Sequence, residues 1–171
     1  MMAKRLGLLI PLLLLSQGCV PGHDPLLPEL KGRWSAPNAA KLRYAVAAER
    51  YANPPAQTES GDCRNEYVTF EKYGVVVYVN GQVNPVFLVQ AVARDGARLI
   101  LDGNAPIVAG GHKARIELVL RNGELRLDDI VDERGRSILY ERFENEQARR
   151  LGITTVGDVF RLVLDVKPCR V

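Results

Sequence analysis

From residue 66 onward the chain is cut into short alternating segments by Asn-Gly and Asp-Gly pairs. This punctuation limits the possible folds more than any other feature of the 171 residues. EYVTFE alternates through Val68 and Phe70, GVVVYV ends at Asn80-Gly81, VFLVQAVAR at Asp95-Gly96 and ARLILD at Asp102-Gly103. KARIELVLR puts Ala114, Ile116, Leu118 and Leu120 on one side and Arg115 and Glu117 on the other, then ends at Asn122-Gly123. ELRLDDIVD continues the apolar face with Leu125 and Leu127, and SILYERF follows Arg134-Gly135. Period-two alternation marks a strand with one buried face, and Asn-Gly or Asp-Gly supplies the positive φ of a tight hairpin. Turns at such short spacing predict an antiparallel meander, not βαβ units. Seven or eight strands cannot leave both sheet edges bare. The expected fold is therefore mainly β, a meander of about seven to eight strands closed as a small barrel or sandwich, with one or two short helices.

Two flanking segments read less simply. Between Pro37 and Pro54 the chain is alanine-rich. Asn38 is placed to cap a helix there, with Leu42, Ala45 and Val46 on one face, while Leu42, Tyr44 and Val46 also alternate as a strand would. NEQARRLG reads as one or two helical turns ended by Gly152. In VFRLVLDVKPC, alternation of Phe160, Leu162, Leu164 and Val166 predicts a last strand. Thr155 and Asp158 have capping-box spacing, which is the competing helical reading. A last strand would bring Cys169 beside the start of the first meander strand, near Cys63.

The N-terminus has a different character. Lys4 and Arg5 precede an apolar block, Leu6 to Leu15, interrupted by Pro11. That block falls short of the roughly 20 apolar residues a spanning helix needs and has the build of a secretory signal. It stops at Gly18-Cys19. This junction resembles the lipobox of bacterial lipoproteins, in which the leader is cut before a cysteine that carries diacylglycerol. Gly18 matches the small residue of that pattern; Ser16 stands where leucine is usual, with Leu15 one place earlier, and Gln17 is atypical. The resemblance implies lipid attachment at Cys19, acyl chains of the palmitate kind, and a membrane partner. Val20, not Asp, follows the cysteine, which by the sorting rule of that family favours the outer over the inner membrane. Pro21, Pro25 and Pro28 make the next stretch an extended spacer. The expected organisation is 1–18 signal peptide, 19–31 lipidated cysteine and proline-rich tether, and 32–171 a single mainly-β domain on the periplasmic face of the cell envelope.

With Cys19 assigned to an anchor, Cys63 and Cys169 remain as a pair suited to an oxidising compartment. Two reduced thiols are the alternative. The chain carries 23 basic and 20 acidic residues, and two of the basic ones lie in the leader. Such a balance gives no electrostatic footprint for nucleic acid. Gly32-Arg33-Trp34 is similar to the Gly-x-Trp of the first strand in lipocalins and related calycin barrels. The resemblance implies a tryptophan closing one barrel end beneath an arginine from the last strand, with Arg161 the best-placed candidate. A plain buried Trp34 is the other reading, and the alanine-rich stretch departs from that family.

The residues with catalytic potential are sparse. His112 follows Gly110-Gly111, and no nucleophile stands near it in sequence. Asp128, Asp129, Asp132 and Glu133 cluster without the spacing of a calcium loop. His23-Asp24 reads as a solvated pair in the tether, Arg149-Arg150 as a solvated helix face, and the six tyrosines form no recognisable stacking platform. No cofactor or metal is implied. The expected function is a non-enzymatic binding or scaffold module with an envelope protein partner. The alternatives are a lipocalin-like carrier of a small apolar ligand, and a hydrolase using His112 or the Asp128/Asp129 cluster.

Overall fold

A computed structural model describes residues 27–47, 52–55, 63–72, 74–107 and 111–169. The leader, Cys19, His23, Asp24 and most of the tether lie outside the described residues. A 3-10 turn, Pro28–Leu30, leads into β1 (Arg33–Ser35) and α1 (Ala39–Val46). Six strands follow: β2 (Glu66–Glu71), β3 (Gly74–Val79), β4 (Gln82–Asp95), β5 (Arg98–Asn104), β6 (Lys113–Arg121) and β7 (Glu124–Asp132). The chain ends with α2 (Glu146–Arg150), α3 (Val156–Leu164) and a two-residue β8 (Lys167–Pro168). All eight strands form one antiparallel sheet in the order β7-β6-β5-β4-β3-β2-β1-β8.

The meander follows from local chemistry. Asn80-Gly81 and Asn122-Gly123 hold φ values of 49°, 77°, 52° and 78° in that order. Two successive positive values are what a type I′ hairpin needs. Asp102-Gly103, which also resembles a turn, lies within β5 instead. There a Cβ on Gly103 would come within 2.0 Å of the Leu88 carbonyl oxygen. The glycine lets two backbones approach where β4 changes partner: its first half pairs with β3, and from Leu88 onward it pairs with β5. Register shifts at Val75/Val76 and at Val89/Ala91 mark the bend, which is how bulges and glycines coil a sheet.

Two expected strands are not strands. The segment 156–164 is α3, because Val156, Val159, Phe160, Val163 and Leu164 are buried at i, i+3, i+4, i+7 and i+8. The segment is apolar enough to satisfy both periods, and the cap decides between them. The Asp158 amide donates to Thr155 Oγ1 at 3.1 Å, and the Thr155 amide donates to Asp158 Oδ2 at 3.0 Å. SILYERF is not a strand either. The Leu139 and Glu141 carbonyls accept from the Gly157 and Val156 amides, at 2.8 and 2.9 Å. It thus supplies acceptors for first-turn amides that α3 cannot satisfy internally. At the ambiguous alanine-rich stretch the structure has helix α1. The Asn38 side chain makes no capping bond there. Helix α2 is capped by Asn145, whose Oδ1 accepts from the Gln147 and Ala148 amides.

The core is one cluster, running from Leu30 and Trp34 through the inward residues of the sheet to the buried faces of α1, α2 and α3. Phe87 and Phe160 are its largest fully buried side chains. The sheet is not closed by a continuous ladder. Between its two edge strands, among the described residues, one bridge links Leu125 of β7 to Val166, with hydrogen bonds of 2.8 and 2.9 Å. Cys169, just after β8, donates its amide to the Arg33 carbonyl and forms a disulfide with Cys63, 106 positions earlier, at a Cα separation of 5.8 Å.

Candidate functional site

The site begins where β6 starts and β7 ends. Antiparallel pairing of Ala114 with Asp132 sets these ends side by side. The chain then turns through Arg134 and Gly135 and returns along residues 138–144 before α3. These pieces enclose a groove of about 560 Å³. Its floor is apolar, from Ala105, Ala114, Ile138, Phe143 and Val156. Its rim is charged with both signs, Lys113, Arg134, Arg136 and Arg142 against Asp132, Glu133, Glu141 and Glu144. A second depression of about 330 Å³ shares Lys113, Ala114, Asp132 and Glu133 and extends over Asp102 and Arg115.

Asp132 organises the turn. Its Oδ1 accepts from the Arg134 and Arg136 amides, each at 2.9 Å. Its Oδ2 accepts from Arg136 Nε and Nη2 at 3.0 and 2.7 Å. The Arg136 amide, then the guanidinium and the Arg134 amide, outweigh desolvation and hold the Asp132 carboxyl below the usual carboxylate range. The same pairing raises the Arg136 guanidinium. Arg142 pairs with Glu144 at 3.4 Å across the exposed lip.

Each candidate residue has a definite place. His112 is exposed on the groove, and its carbonyl accepts from the Ala105 amide at 3.1 Å. Asp128 and Asp129 do not join it there. The register passes from Glu117–Asp129 to Leu118–Leu127, so Asp128 is the extra residue of a β-bulge. The bulge shifts the inward phase from Leu125 and Leu127 to Ile130 and leaves two adjacent carboxylates off the core. Asp128 pairs with Arg98 at 3.2 Å; Asp129 accepts from the Ile130 amide at 2.8 Å and from the Ser137 hydroxyl. These are structural commitments of the acids. Among the described residues no group of three His, Cys, Asp or Glu side chains is placed to hold a metal.

Trp34 is buried. Its Nε1 donates to the Leu30 carbonyl at 3.3 Å, and its ring meets Phe70 edge-on at 6.1 Å. Arg161 lies on helix α3, not on a last strand, and pairs with Asp158 at 3.8 Å. Arg150 pairs with Glu146 one helical turn away on α2. The tyrosines hold a correction. Tyr67 and Tyr78, paired across β2 and β3, stack at 4.6 Å with Arg33 over Tyr67 at 4.4 Å. Sequence reasoning passes over this stack because the partners are eleven positions apart; counting outward from the hairpin would have found it. It also passes over Arg134 and Arg136, whose alternate spacing after Asp132 was the available signal.

No protein-family model matches the chain, and comparisons with curated proteins and with solved structures found no match.

Proposed function

We propose that this chain is a lipid-anchored envelope protein whose β domain closes as a small barrel and acts as a non-enzymatic binding or scaffold module. The supporting observation is where the apolar and the polar surface lie. The side chains that point inward from the sheet and helices are packed into one cluster, with Phe87 and Phe160 at zero exposure. That weighs against a carrier with a roomy interior and leaves recognition to the outer grooves. The barrel reading over a sandwich is supported by the Leu125–Val166 bridge and by Asp165, whose Oδ1 accepts from the Leu127 amide at 2.8 Å where a strand carbonyl would otherwise stand. The Cys63–Cys169 bond supports an exported domain, since such bonds persist in oxidising compartments. The leader and Cys19 supply the anchor in this reading.

The test is made on the native protein. Mass spectrometry of the mature N-terminus should find an acylated Cys19. Crosslinking in intact envelopes should return one reproducible polypeptide partner. An unmodified N-terminus from a soluble fraction would overturn the anchor, and turnover of a substrate abolished by His112→Ala would overturn the non-enzymatic reading.

A further inference from the structure

We infer that the His112–Arg134 groove is the partner-facing surface of the domain, that it points away from the membrane, and that it takes an extended polypeptide segment with an apolar side chain between charges. This rests on the anchor proposed at Cys19. Strand register fixes the geometry. Arg98 pairs with Val119 and Asn104 with Lys113, so the β4–β5 and β6–β7 turns share one end of the sheet and the groove occupies the other. The 3-10 turn belongs to the turn end, because Glu29 pairs with Arg94, next to the β4–β5 turn.

The tether leaves from that end. Eight steps from Cys19 to Leu27 span at most about 28 Å when fully extended, and about 16 Å root-mean-square if flexible. Nine residues of β6 at roughly 3.4 Å each put the groove about 30 Å beyond the turn end. With the tether leaving from the turn end, a domain standing upright on a bilayer that holds Cys19 sets that end against the headgroups and carries the groove about 30 Å above it. Its chemistry narrows the partner. Among the described residues the rim has four basic and four acidic side chains, two of each already paired as Arg136–Asp132 and Arg142–Glu144, so it offers no excess cation of the kind polyanions or anionic lipids need. Among the described residues its rings are the half-buried Phe143 and the exposed imidazole of His112, and neither is a broad stacking surface for a glycan. An apolar floor under a two-sign rim matches a polypeptide, which brings side chains of both kinds.

The experiment places a photo-reactive amino acid at position 133 and, separately, at position 97 of the full chain in intact envelopes. Mass spectrometry reads both the crosslinked products and the mature N-terminus. The expected result is that position 133 labels one short segment of one other polypeptide and position 97 does not. Arg134→Glu should cut that product about tenfold, the size of a lost charge pair, and reversing the facing charge on the mapped segment should restore it. Ala97→Glu should leave the yield unchanged. Phospholipid or glycan at position 133, the same product at both positions, or indifference to Arg134→Glu would overturn the inference. An unacylated Cys19 with the position-133 product intact would overturn the anchor and the orientation, leaving the groove as the docking site.

Discussion

The two ends of the sheet are built by opposite rules. At the turn end, β4–β5 and β6–β7 reverse over two residues each, and Trp34 meets Phe70 and donates to the carbonyl of Leu30 in the 3-10 turn. At the groove end, β5–β6 spans residues 105–112 and the chain after β7 wanders from 133 to 145 before α2. The first end is held by local dihedrals and buried rings. The second is held by side chains reaching back to the backbone, with Asp132 as its centre. The difference teaches how connection length shapes the surface: short turns leave no room for a groove, and long returns provide one.

That contrast can be broken by mutation. Trp34→Ala should cost about 4 kcal/mol in denaturant unfolding, and Phe143→Ala at the groove about half as much; equal losses would erase the distinction between the ends. Cys63→Ser should cost about 3 kcal/mol and make the thermal midpoint insensitive to added reductant. A midpoint that still falls with reductant would mean another bond matters. Gly103→Ala should cost about 2 kcal/mol, because the new methyl meets a carbonyl and not a movable side chain. A neutral outcome would show that β4 does not need that close approach. Thr155→Ala should cost about 1 kcal/mol by removing the cap of α3, read from the same unfolding curves.

The smallest effect sharpens the groove end. The folded Asp132 carboxyl lies below its unfolded value of about 3.9. Its contribution to stability is therefore complete above the unfolded value and is lost as pH falls through the folded one. An NMR titration of the Asp132 carboxyl should show a midpoint below the ordinary range, with the Arg134 and Arg136 amides shifting together. A midpoint at or above that range would mean the turn is not organised by Asp132. Asp158 follows the same sign: burial raises its carboxyl, but the Thr154 and Thr155 amides and hydroxyls outweigh that and lower it.

Much of the strand pattern was legible because its signals are local. Val68 and Phe70, or Ile116 and Leu118, declare a face by period two, and Asn122-Gly123 declares a turn by dihedral preference. The Cys63–Cys169 bond was legible by elimination once Cys19 was set aside. The segment at Phe160 misled because a nearly continuous apolar run satisfies two periods, and only the reciprocal bonds of Thr155 and Asp158 separate them. SILYERF misled because its β-like composition serves a helix terminus, a partner not visible in its own residues. The groove was partly legible, since His112, Asp132 and Glu133 stood out as chemical groups. Their assembly with Arg134, Arg136 and Phe143 was not.

What the sequence determined by itself is the antiparallel meander, because alternation and turn dihedrals act within a few residues. What only the tertiary structure decided is the bend at β4, the bulge that spends Asp128 and Asp129, and the groove at the far end. Each depends on which other segment comes close, as the Gly103 backbone meets the Leu88 carbonyl and the Asp129 carboxylate meets the Ser137 hydroxyl, and no local propensity carries that information.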